Sequence, residues 1–262
     1  FSMKKINNWN IAVYKGDYKK INHKKSIYAP RSNKYFLADP FLYKYSNNYF
    51  IFAEKFIYSE DKGEIAVFKL EKNSLIELGT AIKEKFHLSF PYIFQFKKKI
   101  YCIPDSSFNK DLRIYVSEKF PLTWKLHKVI FKNIKATDTL IYKQNKNWEM
   151  ITNLNPNDTD DLNSELFLFK SNNPIQKKWK EQENNPLIVN FLKARNGGII
   201  KKKNKIYRVF QKHKFNDYGN SIGLCRITSK ENNQKFKYDT VSDLKFLDQF
   251  DKCHHLNSDG KI

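Results

Sequence analysis

What the chain lacks narrows it quickly. No run of about 18 apolar residues occurs, which excludes a membrane-spanning helix. Glycine and proline number only 8 each among 262 residues, and no segment is rich in them or in serine, so no flexible linker divides the chain. Cys102, Cys225 and Cys253 are the only cysteines and have no metal-type spacing, which argues against a zinc module or a disulfide scaffold. They read as reduced thiols of a cytosolic protein. Almost no segment sustains a helical period, which argues against a layered α/β core. Acid is scarce as well, with 27 Asp and Glu against 48 Lys and Arg and a net charge of +21. No nucleic-acid motif accompanies that charge, so sequence-specific recognition of nucleic acid has nothing behind it. The opening FSMKK has no signal-peptide hydrophobic region and reads as a remnant before Met3.

What is present is a module that recurs four times. Each copy opens with a marked residue before a hydrophobic strand, turns through a short polar loop, and carries a polar residue on the returning strand. Asp39 opens DPFLYKY and Glu54 follows in YFIFAEKF; Phe90 opens FPYIFQF and Asp105 follows in IYCIPD. Asp138 opens DTLIYKQ and Asn153 follows in WEMITN; Arg195 opens RNGGIIKK and Gln211 follows in IYRVFQ. The separation is 15 positions in the first three copies and 16 in the fourth. A third strand completes each copy: GEIAVFKL, LRIYVSE, SELFLFK and NSIGLCRI. Openings spaced by 51, 48 and 57 residues fit one propeller blade per copy. Strands apolar on both faces, and an aromatic content of 16%, suit blades packed between neighbours.

The expected fold is therefore all-β, a single five-bladed β-propeller over residues 1–262. Its blades fall roughly at 35–72, 86–119, 134–171 and 193–230, with a fifth made from 240–262 plus 9–15. Ile11 to Tyr14 would then close the ring beside the last C-terminal strands, removing exposed edges. The chain could end at Ile262 because the missing strand comes from the front.

In a propeller the inner strands line one central funnel, so the openings Asp39, Phe90, Asp138 and Arg195 should converge there with one of His254 or His255. Glu54, Asp105, Asn153 and Gln211 should lie close behind. Asp39, Asp138, Glu54 and Asp105 are the candidate catalytic carboxyls, because two carboxylates in an apolar-walled funnel suit glycoside chemistry. The plainer alternative is that channel Asp, Ser and His satisfy backbone groups and waters. Arg195, followed by Gly197-Gly198, and Arg208 offer forks for a phosphate or carboxylate. The glycines could equally mark a tight bend near the axis. Tyr218 would form a sugar-stacking wall, and Gln211, Asn153, His254 and His255 complete the candidate binding set. No cofactor is called for. A central metal ion on the His pair is an alternative, but adjacent residues of a strand point to opposite faces and give at most one inward ligand.

ARNGGII, NKIYRVFQ, DYGNSIGLCRI and HHLN resemble the N-terminal five-bladed propeller domain of glucosamine inositolphosphorylceramide transferase and its bacterial relatives. ADPFLY, YFIFAEKF, FPYIF, IYCIPDSS and TDTLIY follow the same order, so the resemblance spans nearly the whole chain. That family is similar in fold to five-bladed glycosidases of the arabinanase and xylosidase type. The likeness implies a base at an opening Asp-Pro, here Asp39-Pro40, and a second Asp opening a later blade, here Asp138. The glycosidases take their general acid from a Glu on a later blade, where this chain has Arg195 and Gln211. Arg does not release its proton usefully, so hydrolysis is weakened.

Two functions follow. One is an enzyme of envelope polysaccharide or glycolipid biosynthesis, glycosyltransferase-like, acting on an activated or phosphorylated sugar. The other is a non-catalytic module that binds a glycan or glycolipid phosphate beside a separate transferase. A furanosidase-type hydrolase is the third reading. The expected ligand is a sugar, nucleotide-sugar or glycan. The charge admits an anionic partner, including a membrane surface, and equally admits AT-rich coding. A cytoplasmic protein, peripheral at the inner membrane surface, fits these readings.

Overall fold

A computed structural model describes residues 9–155, 161–214, 217–230, 233–237 and 244–262. A short pair comes first, β1 (Ala12–Val13) with β2 (Ile27–Tyr28). Four antiparallel sheets follow. The first holds β3 (Tyr35–Tyr45), β4 (Asn48–Ile57), β5 (Lys62–Leu70) and β6 (Leu75–Ile82). The second holds β7 (Ser89–Phe96), β8 (Lys99–Asp105), β9 (Asp111–Lys119) and β10 (Thr123–Lys132). In the third, β11 (Lys135–Gln144), β12 (Asn147–Asn155) and β13 (Glu165–Ser171) are edged by two fragments, β14 (Lys180–Glu181) and β15 (Ile188–Val189). The fourth holds β16 (Asn196–Lys202), β17 (Lys205–Lys214), β18 (Asp217–Lys230) and β19 (Asn233–Lys237).

The architecture is an all-β propeller, with each inner strand (β3, β7, β11, β16) next to the inner strand of the following blade. Every blade runs on into outer strands beyond the third strand that the sequence pattern reveals. In the first two blades these outer strands, β6 and β10, are half exposed; β10 buries only Ile130 fully. In the third blade the edge is split around Pro186, which has no N–H to donate. The Asn185 amide fills the gap, accepting from Leu168 N at 2.8 Å and donating to Leu168 O at 2.9 Å.

Among the described residues the expected fifth blade does not form: four blade sheets and the β1–β2 pair do, and residues 240–243 of that blade lie outside the described ones. The N-terminal strand pairs with Ile27–Tyr28 and not with the C-terminal segment. Residues Lys245–Gln249 form a 3-10 helix, and the segment after it meets β16 through a single parallel bridge, Ile200 with Ser258. Backbone bonds run from Leu256 N to Gly197 O (2.9 Å) and from Lys201 N to Ser258 O (3.0 Å). Toward the first blade the same segment offers a side chain instead, the Asn257 amide accepting from Leu42 N at 2.8 Å and donating to Ile199 O at 2.9 Å. A two-residue strand and a side-chain bridge build no ladder, which is why a sheet does not form in the fifth sector.

Packing lies between blades. Phe50, Phe52, Ile65 and Val67 of the first interleave with Ile93, Ile100, Cys102 and Tyr115 of the second. A larger cluster joins the second, third and fourth blades around Tyr92, Ile103, Met150, Leu166 and Ile199. Burying each large side chain contributes roughly 1.5–3 kcal/mol, so the sheets are held mainly face to face.

Candidate functional site

Each opening residue sits at a kink in its inner strand. The register jumps between Ala38 and Phe41, between Ser89 and Tyr92, and between Thr137 and Leu140. Inside those jumps Asp39, Phe90 and Asp138 adopt left-handed backbone, with φ of 49°, 45° and 50°. In the fourth blade the jump lies between Asn196 and Gly198, and Gly198 takes φ 122°. A Cβ on Gly198 would collide with Leu256 O. Left-handed backbone in a non-glycine residue costs roughly 1–3 kcal/mol and gathers at functional sites. The bulge turns the opening side chain out of the sheet and toward the axis.

Asp39 is buried and faced by both histidines: His254 Nε2 lies 3.1 Å and His255 Nδ1 3.5 Å from its Oδ1. The expected opposite orientation of the pair does not occur, because residues 254–255 form no regular strand. Burial would raise the Asp39 carboxyl, but hydrogen bonds from the two imidazoles outweigh it and hold the group well below the usual carboxylate range. Burial keeps the His255 pKa below its ordinary value. Among the described residues no group of three or more His, Cys, Asp and Glu is arranged to hold a metal ion.

Glu54 behaves in the opposite way. Its register partner is Ala38, so it lies beside the Asp39 bulge. Burial, joined by the charges of Asp39, Asp105 and Asp138, pushes its carboxyl well above the usual range. Its neighbour is His87, with Nε2 at 3.5 Å from Oε1. Gly63 N donates to His87 Nδ1 at 2.9 Å, which puts the ring proton on Nε2, toward Glu54.

Asp138 pairs with Arg195 Nε and accepts from Gln211 Nε2 at 3.2 Å. Burial raises its carboxyl, Arg195 pulls it back, and the charges of Asp39 and Asp105 raise it again, leaving it at about 7. The rest of the Arg195 fork is engaged too, with Thr137 Oγ1 at 3.2 Å, Leu162 O at 3.3 Å and Asn163 Oδ1 at 3.4 Å. Arg195 thus acts first on Asp138.

The remaining candidates hold backbone. Asp105 accepts from Ser107 N at 2.8 Å and from Thr137 Oγ1. Asn153 donates to Glu165 O (2.8 Å) and Ala194 O (2.9 Å) and accepts from Asn196 N (3.1 Å). Arg208 is fully buried, donating to Asn196 Oδ1 at 2.6 Å, to Lys193 O at 2.8 Å and to Ala194 O, so its guanidinium fixes the segment that carries Arg195. Tyr218 is half exposed and stacks on His213, centroids 5.2 Å apart. The sequence reading missed His87, which lies in the aperiodic stretch before β7. It also missed His213, which shares a strand face with Gln211 two residues away and has no hydrogen-bond partner at its buried Nε2. A cavity of about 780 Å³ opens beside Asp39, His254, His255 and Tyr218 and extends between β1 and the C-terminal segment.

The family described as glucosamine inositolphosphorylceramide transferase 1, N-terminal, matches residues 7–255. The chain belongs to this family. A glucosamine inositolphosphorylceramide transferase 1 of Oryza sativa subsp. japonica is 33% identical over 73% of the chain and 26% of its own length. Its Arabidopsis thaliana counterpart is 34% identical over 73% of the chain and 25% of its own length. The chain thus spans about a quarter of these relatives. In fold it is similar to a family 117 glycoside hydrolase from Zobellia galactanivorans, with a TM-score of 0.59, 11% identity, and coverage of 90% of this chain and 78% of that one. A thermostable family-43 glycoside hydrolase gives a TM-score of 0.57 at 14% identity, covering 79% and 76%. These likenesses show the propeller alone.

Proposed function

We propose that the funnel is a carbohydrate-active centre of glycolipid or envelope polysaccharide synthesis, acting on an activated or phosphorylated sugar. The carrying observation is the pair Asp39 and Glu54 on adjoining strands of one blade, with environments that push their carboxyls in opposite directions. In such a pair the ionised group serves as base or as stabiliser of developing positive charge, and the protonated one as acid. Glu54 supplies the proton donor that Arg195 and Gln211 cannot. Asp138, poised by Arg195, tunes the charge between them. Asp105, with both oxygens occupied, is a support. The cavity falls within the range of small-molecule sites, roughly 300–1,000 Å³. Membership of a transferase family supports transfer over hydrolysis. A peripheral, cytoplasmic-side position on an anionic membrane belongs to the same reading. It is supported by the net charge of +21 and fits the finding that no helix among the described residues is long and apolar enough to cross a membrane.

A second reading is favoured by coverage. The chain equals about a quarter of its curated relatives, so it could serve as the glycan-recognition module of a larger transferase. Titrating nucleotide-sugars, sugar phosphates and neutral oligosaccharides, with turnover followed in parallel, separates the two. Loss of turnover in Asp39→Asn and Glu54→Gln with affinity retained supports the enzyme. Tight binding with no turnover of any donor by the wild type overturns it in favour of the module.

A further inference from the structure

The four inner hairpin turns, β3–β4, β7–β8, β11–β12 and β16–β17, lie at the end of the inner strands remote from Asp39, Phe90, Asp138 and Arg195. They converge around the axis: Tyr92 Oη of the second blade donates to Ile141 O of the third, and Lys201 Nζ of the fourth donates to Tyr92 Oη at 3.2 Å. Every one of these turns presents exposed lysine. Lys44 flanks the first, Lys97, Lys98 and Lys99 make the second, Lys146 lies in the third and Lys203 in the fourth. Among the described residues none of the six has a carboxylate within ion-pair distance. Acids at that end are engaged by other groups, Asp17 by Lys202 at 2.9 Å, Asp259 by Tyr49 Oη at 3.1 Å, Glu71 by Lys69 at 2.7 Å and Glu118 by Lys125 at 2.6 Å. Lysines at the opposite end are neutralised, as in Lys55–Glu77 and Lys62–Glu60.

We propose that this lysine ring is a docking face for an anionic lipid bilayer, seating the propeller with its carboxylate funnel turned away from the membrane. The six lysines are spread over four separate turns around an axis, a layout matched to a surface and not to a strand. The ring cations are all Lys, point charges that suit a diffuse surface potential, and no Arg fork for base or phosphate recognition is among them. Aromatic side chains border the turns, Lys44 lying over Tyr49 and Lys97 over Phe96, in the manner of interfacial anchors. The inference rests on the membrane part of the proposed function alone. In this orientation the funnel opens to the aqueous phase, so its sugar ligand arrives from solution.

The test is vesicle flotation with phosphatidylcholine alone and with added phosphatidylserine, at low and high salt. Each lysine near such a surface strengthens binding roughly fivefold, so Lys97→Asn with Lys98→Gly should weaken association about 25-fold. Lys97 and Lys98 have φ of 46° and 62°, so the Asn-Gly replacement keeps the turn. The control, Lys83→Gln with Lys85→Gln, removes equal charge from the funnel side and should leave flotation unchanged. Equal losses in both variants, no dependence on anionic lipid, or tighter binding to duplex nucleic acid than to vesicles each overturn the proposal. Sugar binding by the same variants is measured alongside. Flotation lost with sugar binding intact is a failure of docking alone, whereas no sugar binding in the wild type is a failure of the funnel reading.

Discussion

Three joints of this propeller are built one way and the fourth another. Between the first and second blades Leu88 N bonds Gly63 O at 3.0 Å and Glu54 faces His87. Between the second and third, Ile134 N bonds Lys110 O at 3.0 Å and Asp105 takes Thr137. Between the third and fourth, Asn190 N bonds Ser164 O at 2.8 Å and Asn153 grips both sides of Arg195. In each the residue fifteen positions after the opening reaches the segment that enters the next blade. Gln211, its counterpart in the fourth blade, turns back instead, to its own Asn196 O at 2.7 Å and to Asp138 of the third blade at 3.2 Å, and leaves its Oε1 without a partner. The repeat therefore encodes a clasp, and where no further blade follows the clasp goes unused. The Asn257 amide and the Asp39 contacts to His254 and His255 do that work at the last joint.

The sharpest way to break the comparison is Asn153→Ala. It strands Asn196 N and takes a donor from Glu165 O in a buried joint, while Ala194 O keeps Arg208; unfolding by denaturant should show a loss of about 3 kcal/mol, at roughly 1–3 kcal/mol per stranded group. Next is Asp138. Its carboxyl sits at about 7 when folded against an ordinary 3.8, so the folded state holds the proton more tightly. That stabilisation is complete below 3.8 and is lost as pH rises through about 7. Melting temperature should accordingly fall more steeply between about pH 5 and pH 8 in the wild type than in Asp138→Asn; parallel curves would show that the carboxyl is not raised. Asn257→Ala at the last joint is half-buried and should cost only about 1–2 kcal/mol, and a loss equal to that of Asn153→Ala would erase the contrast between joints. Smallest in stability is Glu54→Gln, expected within about 1 kcal/mol of wild type because burial and the neighbouring carboxylates push this carboxyl toward the uncharged form that Gln mimics. A large loss there would mean that Glu54 is ionised in the folded protein.

Much of this was legible. Openings at 39, 90 and 138 and the polar residue that follows each were readable because bulge and clasp recur at fixed spacing. Outer strands such as Leu75–Ile82 were not, since half-exposed edges bury too few residues to set a period. The fifth sector was unreadable for a related reason: a 3-10 helix, a two-residue strand and one side-chain amide leave no pattern. At the site, Asp39 and Glu54 could be named from spacing. The engagement of Arg195 by Asp138, 57 residues away, needed the fold, and so did the assignment of Arg208 and Asn153 to backbone support.

Phe90 is the one bulky side chain among the three left-handed openings, and it stands where its siblings carry Asp. Its ring packs edge-on against Phe41 at 4.9 Å and near His255 at 5.3 Å, with Tyr92 below. All four rings are buried. The opening of the second blade thus contributes bulk and no charge where the first and third place carboxylates, which makes the ring of openings lopsided: acid on two blades, an aromatic plug between them.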